Sequence, residues 1–187
     1  MFMLAAVAMT VGANGASGYW TCTNVKDGSG NPISGIAYFI NAASLSQDAF
    51  KALDGADAFT TALNGMYFYT PTEAGKYTVA SSSAVANSTL GLADSTDYTV
   101  YLAIFDTSTI SDNSKYYLTS RASLATMEGS NYAQIKWGSQ STASQAAGAW
   151  SSVKAADPEP PIDSPEPTSG LLMLIGAAGL ALRRKRA

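Results

Sequence analysis

The chain contains one cysteine, Cys22, and no histidine. An intramolecular disulfide is therefore excluded, the commonest metal ligands are missing, and no imidazole is available as a general base. Whatever this chain folds into must be held by packing and hydrogen bonds. Its 187 residues suit one domain of ordinary size plus processing segments, because a single core typically serves roughly 100–200 residues. Charged residues make up only 13% of the chain, while Ser, Thr, Ala, Gly and Tyr are abundant. That balance fits a neutral extracellular surface better than a cytosolic enzyme. The only basic cluster stands at the extreme C-terminus, so the body has no patch for a phosphate backbone, and nucleic acid is not an expected partner. Cys22 could react or pair two chains, but a lone small cysteine in an apolar strand is expected to be simply buried.

Both ends read as addresses rather than fold. Residues 2–9 are apolar and then break into the small residues Gly12, Ala13, Gly15, Ala16, Ser17 and Gly18. This is the pattern of the second half of a secretory signal peptide, assigned to residues 1–18. Signal peptidase requires small side chains at two recognition positions, and Val11/Ala13 or Ala16/Gly18 would each serve. The basic leader that should precede the apolar run is missing, which suggests a true start upstream of Met1.

At the other end stands an acidic, proline-rich linker, residues 154–164, followed by Pro165-Glu166-Pro167, an apolar run over 170–182, and the basic block Arg183, Arg184, Lys185 and Arg186. Proline lacks an amide proton and disfavours helix in the residue before it, so the approach stays extended and open to a protease. The apolar run enters the bilayer as a helix. The basic block cannot follow it across, which leaves the body outside. At about 1.5 Å per residue that helix reaches only roughly 20 Å against a hydrocarbon core of about 30 Å. It suits transient better than permanent anchorage, with Arg183 and Arg184 snorkelling to relieve the mismatch. A second Pro-Glu-Pro, at 158–160, is read as linker.

Residues 165–187 resemble the PEP-CTERM sorting signal of Gram-negative and related bacteria, a tail processed by membrane enzymes called exosortases. The resemblance implies that Pro165, Glu166 and Pro167 form the recognition element and that Arg183, Arg184, Lys185 and Arg186 form the membrane stop. It also implies that an exosortase and signal peptidase are partners, that the chain is held transiently in the inner membrane, and that its final place is the cell envelope or beyond. Proteins of this kind are common in bacteria that build exopolysaccharide, which makes exopolysaccharide a candidate partner. The body resembles those of uncharacterised proteins carrying the same tail, and that likeness implies no activity.

The body, residues 19–153, shows short runs rich in β-branched and aromatic residues bounded by Gly, Asn, Asp and Ser. It is expected to be mainly β, an antiparallel sheet or β-sandwich with one helical insertion. Strands are predicted over 19–26, 33–41, 66–70, 76–81, 98–106, 115–119 and 132–137. Residues 27–32 carry strong turn chemistry. The insertion opens at the capping-type Ser46, with Leu45, Ala49, Phe50 and Leu53 on one face, ends near Gly55, and leaves room for a second helical turn over 56–63. Residues 37–48 can be laid on 103–113 with one gap, as a duplicated strand–loop unit would require.

Chemistry in the body is thin. Without histidine a serine hydrolase would need a Ser-Lys pair, and neither Ser114-Lys115 nor Ser152 with Lys154 has helical Ser-x-x-Lys spacing. A glycosidase needs two facing carboxylates from among Asp48, Asp54, Asp57, Asp94, Asp97, Asp106, Asp112, Glu73 and Glu128. Asp94 with Asp97, or Asp106 with Asp112 and Asn113, could offer oxygens to calcium but match no calcium-loop pattern. Tyr67, Phe68, Tyr69, Tyr116, Tyr117, Trp137 and Trp150 are candidates for stacking on sugars or for core packing. Asn87-Ser88-Thr89 matches a glycosylation sequon. The expectation is a secreted structural or matrix protein, not an enzyme, with no catalytic residue, cofactor or metal assigned. The alternative is a carbohydrate-binding or adhesive module, with a small glycosidase third.

Overall fold

A computed structural model describes residues 16–129 and 131–154. The apolar leader and the tail lie outside the described residues, including Pro165, Glu166, Pro167, the 170–182 run and Arg183, Arg184, Lys185 and Arg186. By its internal contacts the chain falls into two units, Met1–Ala155 and Ala156–Ala187, and all described residues belong to the first. No helix among them is long and apolar enough to cross a membrane.

The described body is mainly β. In chain order it comprises β1 (Ser17–Thr23), β2 (Ala37–Asn41), α1 (Gln47–Lys51), α2 (Ala56–Ala62), β3 (Phe68–Tyr69), β4 (Val85–Ala86), β5 (Asp97–Phe105), β6 (Lys115–Leu118), β7 (Ala122–Ala125), β8 (Tyr132–Ser139), α3 (Ser141–Gln145) and β9 (Trp150–Ser152). The larger sheet runs β3-β2-β5-β6-β9, with β7 also on β5, and every pairing in it is antiparallel. The smaller sheet runs β4-β1-β8.

Strand β5 sits centrally, with all of Val100 to Phe105 buried. Because side chains alternate across a strand, its six apolar residues feed two cores. Val100, Leu102 and Ile104 join Phe39 of β2, Trp20 and Cys22 of β1, and Ile135 and Trp137 of β8 in one cluster between the two sheets. Tyr101, Ala103 and Phe105 join Ile40, Tyr116, the helical Phe50 and Phe59, and Leu63 just after α2 in a second cluster on the other face. Helices α1 and α2 cover that face through rings set mostly edge-on, Phe50–Phe59 at 5.2 Å and Phe59–Phe105 at 6.0 Å between centroids, the geometry that aromatic quadrupoles favour.

Local chemistry explains several elements. The Ser46 side chain accepts from the Ala49 amide and caps α1, as its position before the apolar stripe predicts. Asp27 closes the 27–32 turn: its carboxylate accepts from the Ser29 and Asn31 amides at 2.9 and 2.8 Å and from Asn31 Nδ2 at 3.1 Å. Gly30 supplies the positive φ, +88°, that this turn requires. These bonds, the Asn31 amide first, hold the Asp27 carboxyl below its ordinary range.

Several expectations are corrected. The smaller sheet is not antiparallel throughout: β1 and β8 run parallel, from Ser17 opposite Tyr132 to Thr23 opposite Ser139. A register shift between Thr21 and Cys22 leaves Trp137 without a partner there. Residues 76–81 lie along β1 without forming a regular strand. The Thr78 hydroxyl intrudes, accepting from the Cys22 amide at 3.2 Å and donating to the Cys22 carbonyl, so only Trp20 and Val79 bridge. The strand expected over 33–41 begins at Ala37, although Ile36 still donates to the Thr107 carbonyl and accepts from the Phe105 amide; at Gly35 a Cβ would collide with the Phe105 carbonyl. The helical insertion holds α1 and, where a second helical turn is expected over 56–63, α2; β4, β7, β9 and α3 carry no signal in the sequence pattern. Residues 37–48 and 103–113 both leave a strand, and those strands pair with each other. The first then enters capped α1, whereas the second forms a loop folded around Ser114.

If the helical layer is integral, Phe50→Ala should cost about 3–5 kcal/mol, the range for truncating a buried ring. Phe68→Ala, at an exposed position, should cost less than about 1 kcal/mol. Urea unfolding of the two variants checks this, and near-equal losses would contradict the double-core reading.

Candidate functional site

The polar side chains nominated from the sequence are mostly absorbed into the fold. Asp112, in the β5–β6 loop, accepts from the Ala56 amide at 2.8 Å and so caps α2, whose own N-cap, Gly55, has no side chain to do it. Asp106 accepts from the Lys115 amide at 2.8 Å and closes the same loop. Asp94 accepts from Asn87 Nδ2 at 2.8 Å. The two proposed calcium pairs are therefore not assembled, and no group of three or more candidate metal ligands occurs among the described residues.

Ser114 is fully buried. Its Oγ lies 2.8 Å from Thr107 Oγ1 and 3.1 Å from Ser111 Oγ and accepts from the Ser111 amide. Its neighbour Lys115 points to solvent, so this hydroxyl organises a loop rather than meeting an amine. The carboxylates Asp48, Asp54, Asp57, Asp94, Asp97, Asp112, Glu73 and Glu128 are exposed and Asp106 is half-buried. Asn87 is 1% exposed, with its amide nitrogen committed to Asp94, so the folded chain does not present the sequon.

The aromatic candidates divide. Tyr116, Tyr117 and Trp137 are buried, while Tyr67, Tyr69 and Trp150 are half-buried against the inter-sheet core. Phe68 alone among the seven is well exposed, with its ring 6.0 Å from that of Tyr38. Tyr132, which the sequence reading did not single out, is 55% exposed, but on the other sheet. The exposed rings thus do not form one stacking platform among the described residues.

A buried polar network was also missed. Tyr117 donates to Gln140 Oε1 at 2.7 Å, Gln140 Nε2 donates to the Trp137 carbonyl at 2.6 Å, and Ser144 donates to the Gln140 carbonyl at 2.7 Å. The Trp150 indole closes it on the Ser144 and Lys26 carbonyls. Gln140 and Ser144 lie in an unpatterned polar stretch, which gave no sequence signal that they would be buried.

Two open depressions mark the surface. One, of about 400 Å³, lies where β2 has ended and β5 continues past it, lined among others by Asn41, Asp97, Thr99 and Arg121. Among the described residues, the side chains of Asp97 and Arg121 have no hydrogen-bond or ion-pair partner. The other, of about 480 Å³, surrounds the α2 N-terminus and includes Asp54, Asp57, Asp112 and Lys154, with Asp112 already acting as the cap. No family model, curated protein or solved structure matches the chain.

Cys22 is fully buried, and desolvation pushes its thiol from near 9 to about 12. Burial likewise pushes the Tyr117 hydroxyl from near 10 to about 12, with the neighbouring Cys22 adding to it. Since both pKa values are raised on folding, the unfolded chain releases these protons first. Their contribution to stability is fully present below the unfolded values and is lost as pH rises through about 9 towards 12. The folded protein should therefore not react with a disulfide reagent at pH 8 and should release one thiol equivalent in denaturant; prompt labelling without denaturant would refute burial. Asp112→Ala should cost about 1 kcal/mol, as lost N-caps do, read from the urea midpoint.

Proposed function

We propose that this is an exported structural protein of the cell envelope or extracellular matrix, sorted by an exosortase through residues 165–187. The single observation behind this reading is the strict order of three blocks: Pro165-Glu166-Pro167, the apolar 170–182 run, and Arg183, Arg184, Lys185 and Arg186. Each block has a mechanical task, as protease recognition, membrane insertion and stop. The body supports the reading by what it needs. Two facing sheets, read here as a β-sandwich with a helical layer, draw their stability from two apolar cores and from buried hydrogen bonds. Such a body can be secreted unfolded and fold outside without an intramolecular disulfide.

The second reading, a carbohydrate-binding module, has one feature in its favour. The depression at the end of β2 presents Asp97 and Arg121 without a partner among the described residues, and a carboxylate and a guanidinium together can bind sugar hydroxyls or an acidic sugar's carboxylate.

Fractionation and intact mass from the native host, with and without its exosortase, test the main reading. A mature chain lacking both ends and found outside the cell is expected. Replacing Pro165, Glu166 and Pro167 together, or deleting Arg183 to Arg186, should leave uncleaved precursor; normal processing of the triple variant would defeat the sorting proposal. Glycan-array binding that is lost in Asp97→Ala and Arg121→Ala would move the conclusion to the second reading.

A further inference from the structure

Three pairs of the kind that cyclise, an Asp or Asn followed by Gly, lie among the described residues, at Asp27-Gly28, Asp54-Gly55 and Asn64-Gly65. We infer that Asn64-Gly65 is a site of spontaneous covalent modification, where the folded chain converts Asn64 to aspartate and isoaspartate. The inference concerns the body alone and does not depend on how the chain is sorted.

An asparagine cyclises when the next residue's backbone nitrogen reaches its side-chain carbon, and a glycine there leaves that nitrogen unshielded by a Cβ. A folded chain must then offer a side-chain amide that is not held, a following N–H that is not spent in a hydrogen bond, and access for water and hydroxide. Asn64-Gly65 meets all three conditions. Both residues are exposed in the turn that follows α2. Among the described residues, neither the Asn64 side-chain amide nor the Gly65 N–H has a hydrogen-bond partner. The turn is closed by its neighbours instead, with the Asn64 N–H donating to the Thr61 carbonyl at 3.3 Å and the Met66 N–H to the Leu63 carbonyl at 3.1 Å. The space beside Gly65 is open: its φ is +78°, and a Cβ there would meet nothing within 4 Å.

The competing positions are held. The Asp27 carboxylate, a poorer electrophile than an amide, accepts from the Ser29 and Asn31 amides and from Asn31 Nδ2. After Asp54, the Gly55 N–H donates to the Val153 carbonyl at 3.0 Å. Of the asparagines followed by Ala or Ser, Asn87 is buried. Asn41 is followed by Ala42, whose N–H donates to the Thr99 carbonyl at 2.8 Å, and Asn113 by Ser114, whose N–H donates to the Ser111 carbonyl at 2.9 Å.

The Gly65 N–H gives its proton to hydroxide, and the nitrogen attacks Asn64 Cγ. The new C–N bond closes a succinimide ring, and the side-chain nitrogen leaves as ammonia. Water then opens the ring at Cγ, which restores the backbone with an aspartate, or at the residue 64 backbone carbonyl, which leaves isoaspartate with the chain running through the side chain. Water is the only other reactant. Either product adds a negative charge to a formal net charge of −3. That charge falls just past the C-terminal end of α2, where helix carbonyls already gather negative potential.

The test is peptide mapping of the full-length protein, incubated folded in mildly alkaline buffer beside a free peptide of residues 60–68 and an Asn64→Gln variant. Aspartate and isoaspartate should accumulate at residue 64 ahead of the other positions named above. The rate should lie within about tenfold of the peptide's, a barrier difference of at most about 1.4 kcal/mol. Asn64→Gln, which would have to close a less favoured, larger ring, should show no conversion at residue 64 over the same period. Earlier conversion at Asp27, Asn41, Asp54, Asn87 or Asn113 overturns the inference, as does a folded chain slower than the peptide by more than that margin. Because the unsubstituted chain carries the readout, a variant that fails to fold does not obscure it.

Discussion

The burial of β5 on both faces is the constraint around which the body is arranged. A strand at the surface of a sheet alternates apolar and polar residues, whereas one covered on both sides reads as a continuous apolar run. Val100 to Phe105 is such a run, and it requires two covers. The smaller sheet supplies one, bringing Trp20 to 5.2 Å from Phe39 and 6.5 Å from Trp137. Helices α1 and α2 supply the other, with the Tyr101 hydroxyl donating to the Leu45 carbonyl at 2.8 Å, so that the one polar atom in that row is satisfied. The polar start of β5 outruns both covers, which is why the depression beside Asp97 and Thr99 lies there.

The single cysteine rules out an intramolecular disulfide, and polar side chains do much of the loop closure. Asp27, Asp106 and Asp112 each hold backbone amides. Ser114 organises the β5–β6 loop, and Thr126 donates to the Ala93 and Thr96 carbonyls and accepts from the Thr96 amide. The same residues that look like candidate chemistry in one dimension are structural fasteners in three. Two buried atoms, Trp20 Nε1 and Asn87 Oδ1, have no partner among the described residues. For Trp20 this is the cost of placing an indole at the centre of the inter-sheet core.

Legibility followed the range of the interaction. The Ser46 cap, the Asp27 turn and strands β5, β6 and β8 were visible because each depends on residues within a few positions of one another. The short β7 and β9 were not. Ala122 to Ala125 has little β-propensity of its own and is a strand because β5 offers it a ladder from Asp97 to Val100. Residues 76–81 had the pattern of a strand, but one hydroxyl, on Thr78, displaced the ladder.

By itself the sequence determined the mainly β character, the reliance on packing, and the three ordered blocks of the tail, because these depend on composition and on neighbours along the chain. Only the tertiary structure decided that β1 lies parallel to β8, a pairing between segments more than a hundred residues apart that no local pattern encodes. It likewise decided that Tyr116, Tyr117 and Trp137 turn inward rather than towards a ligand. Alternation along a strand says that successive side chains face opposite ways, but which way is inside depends on what the rest of the chain brings to each face.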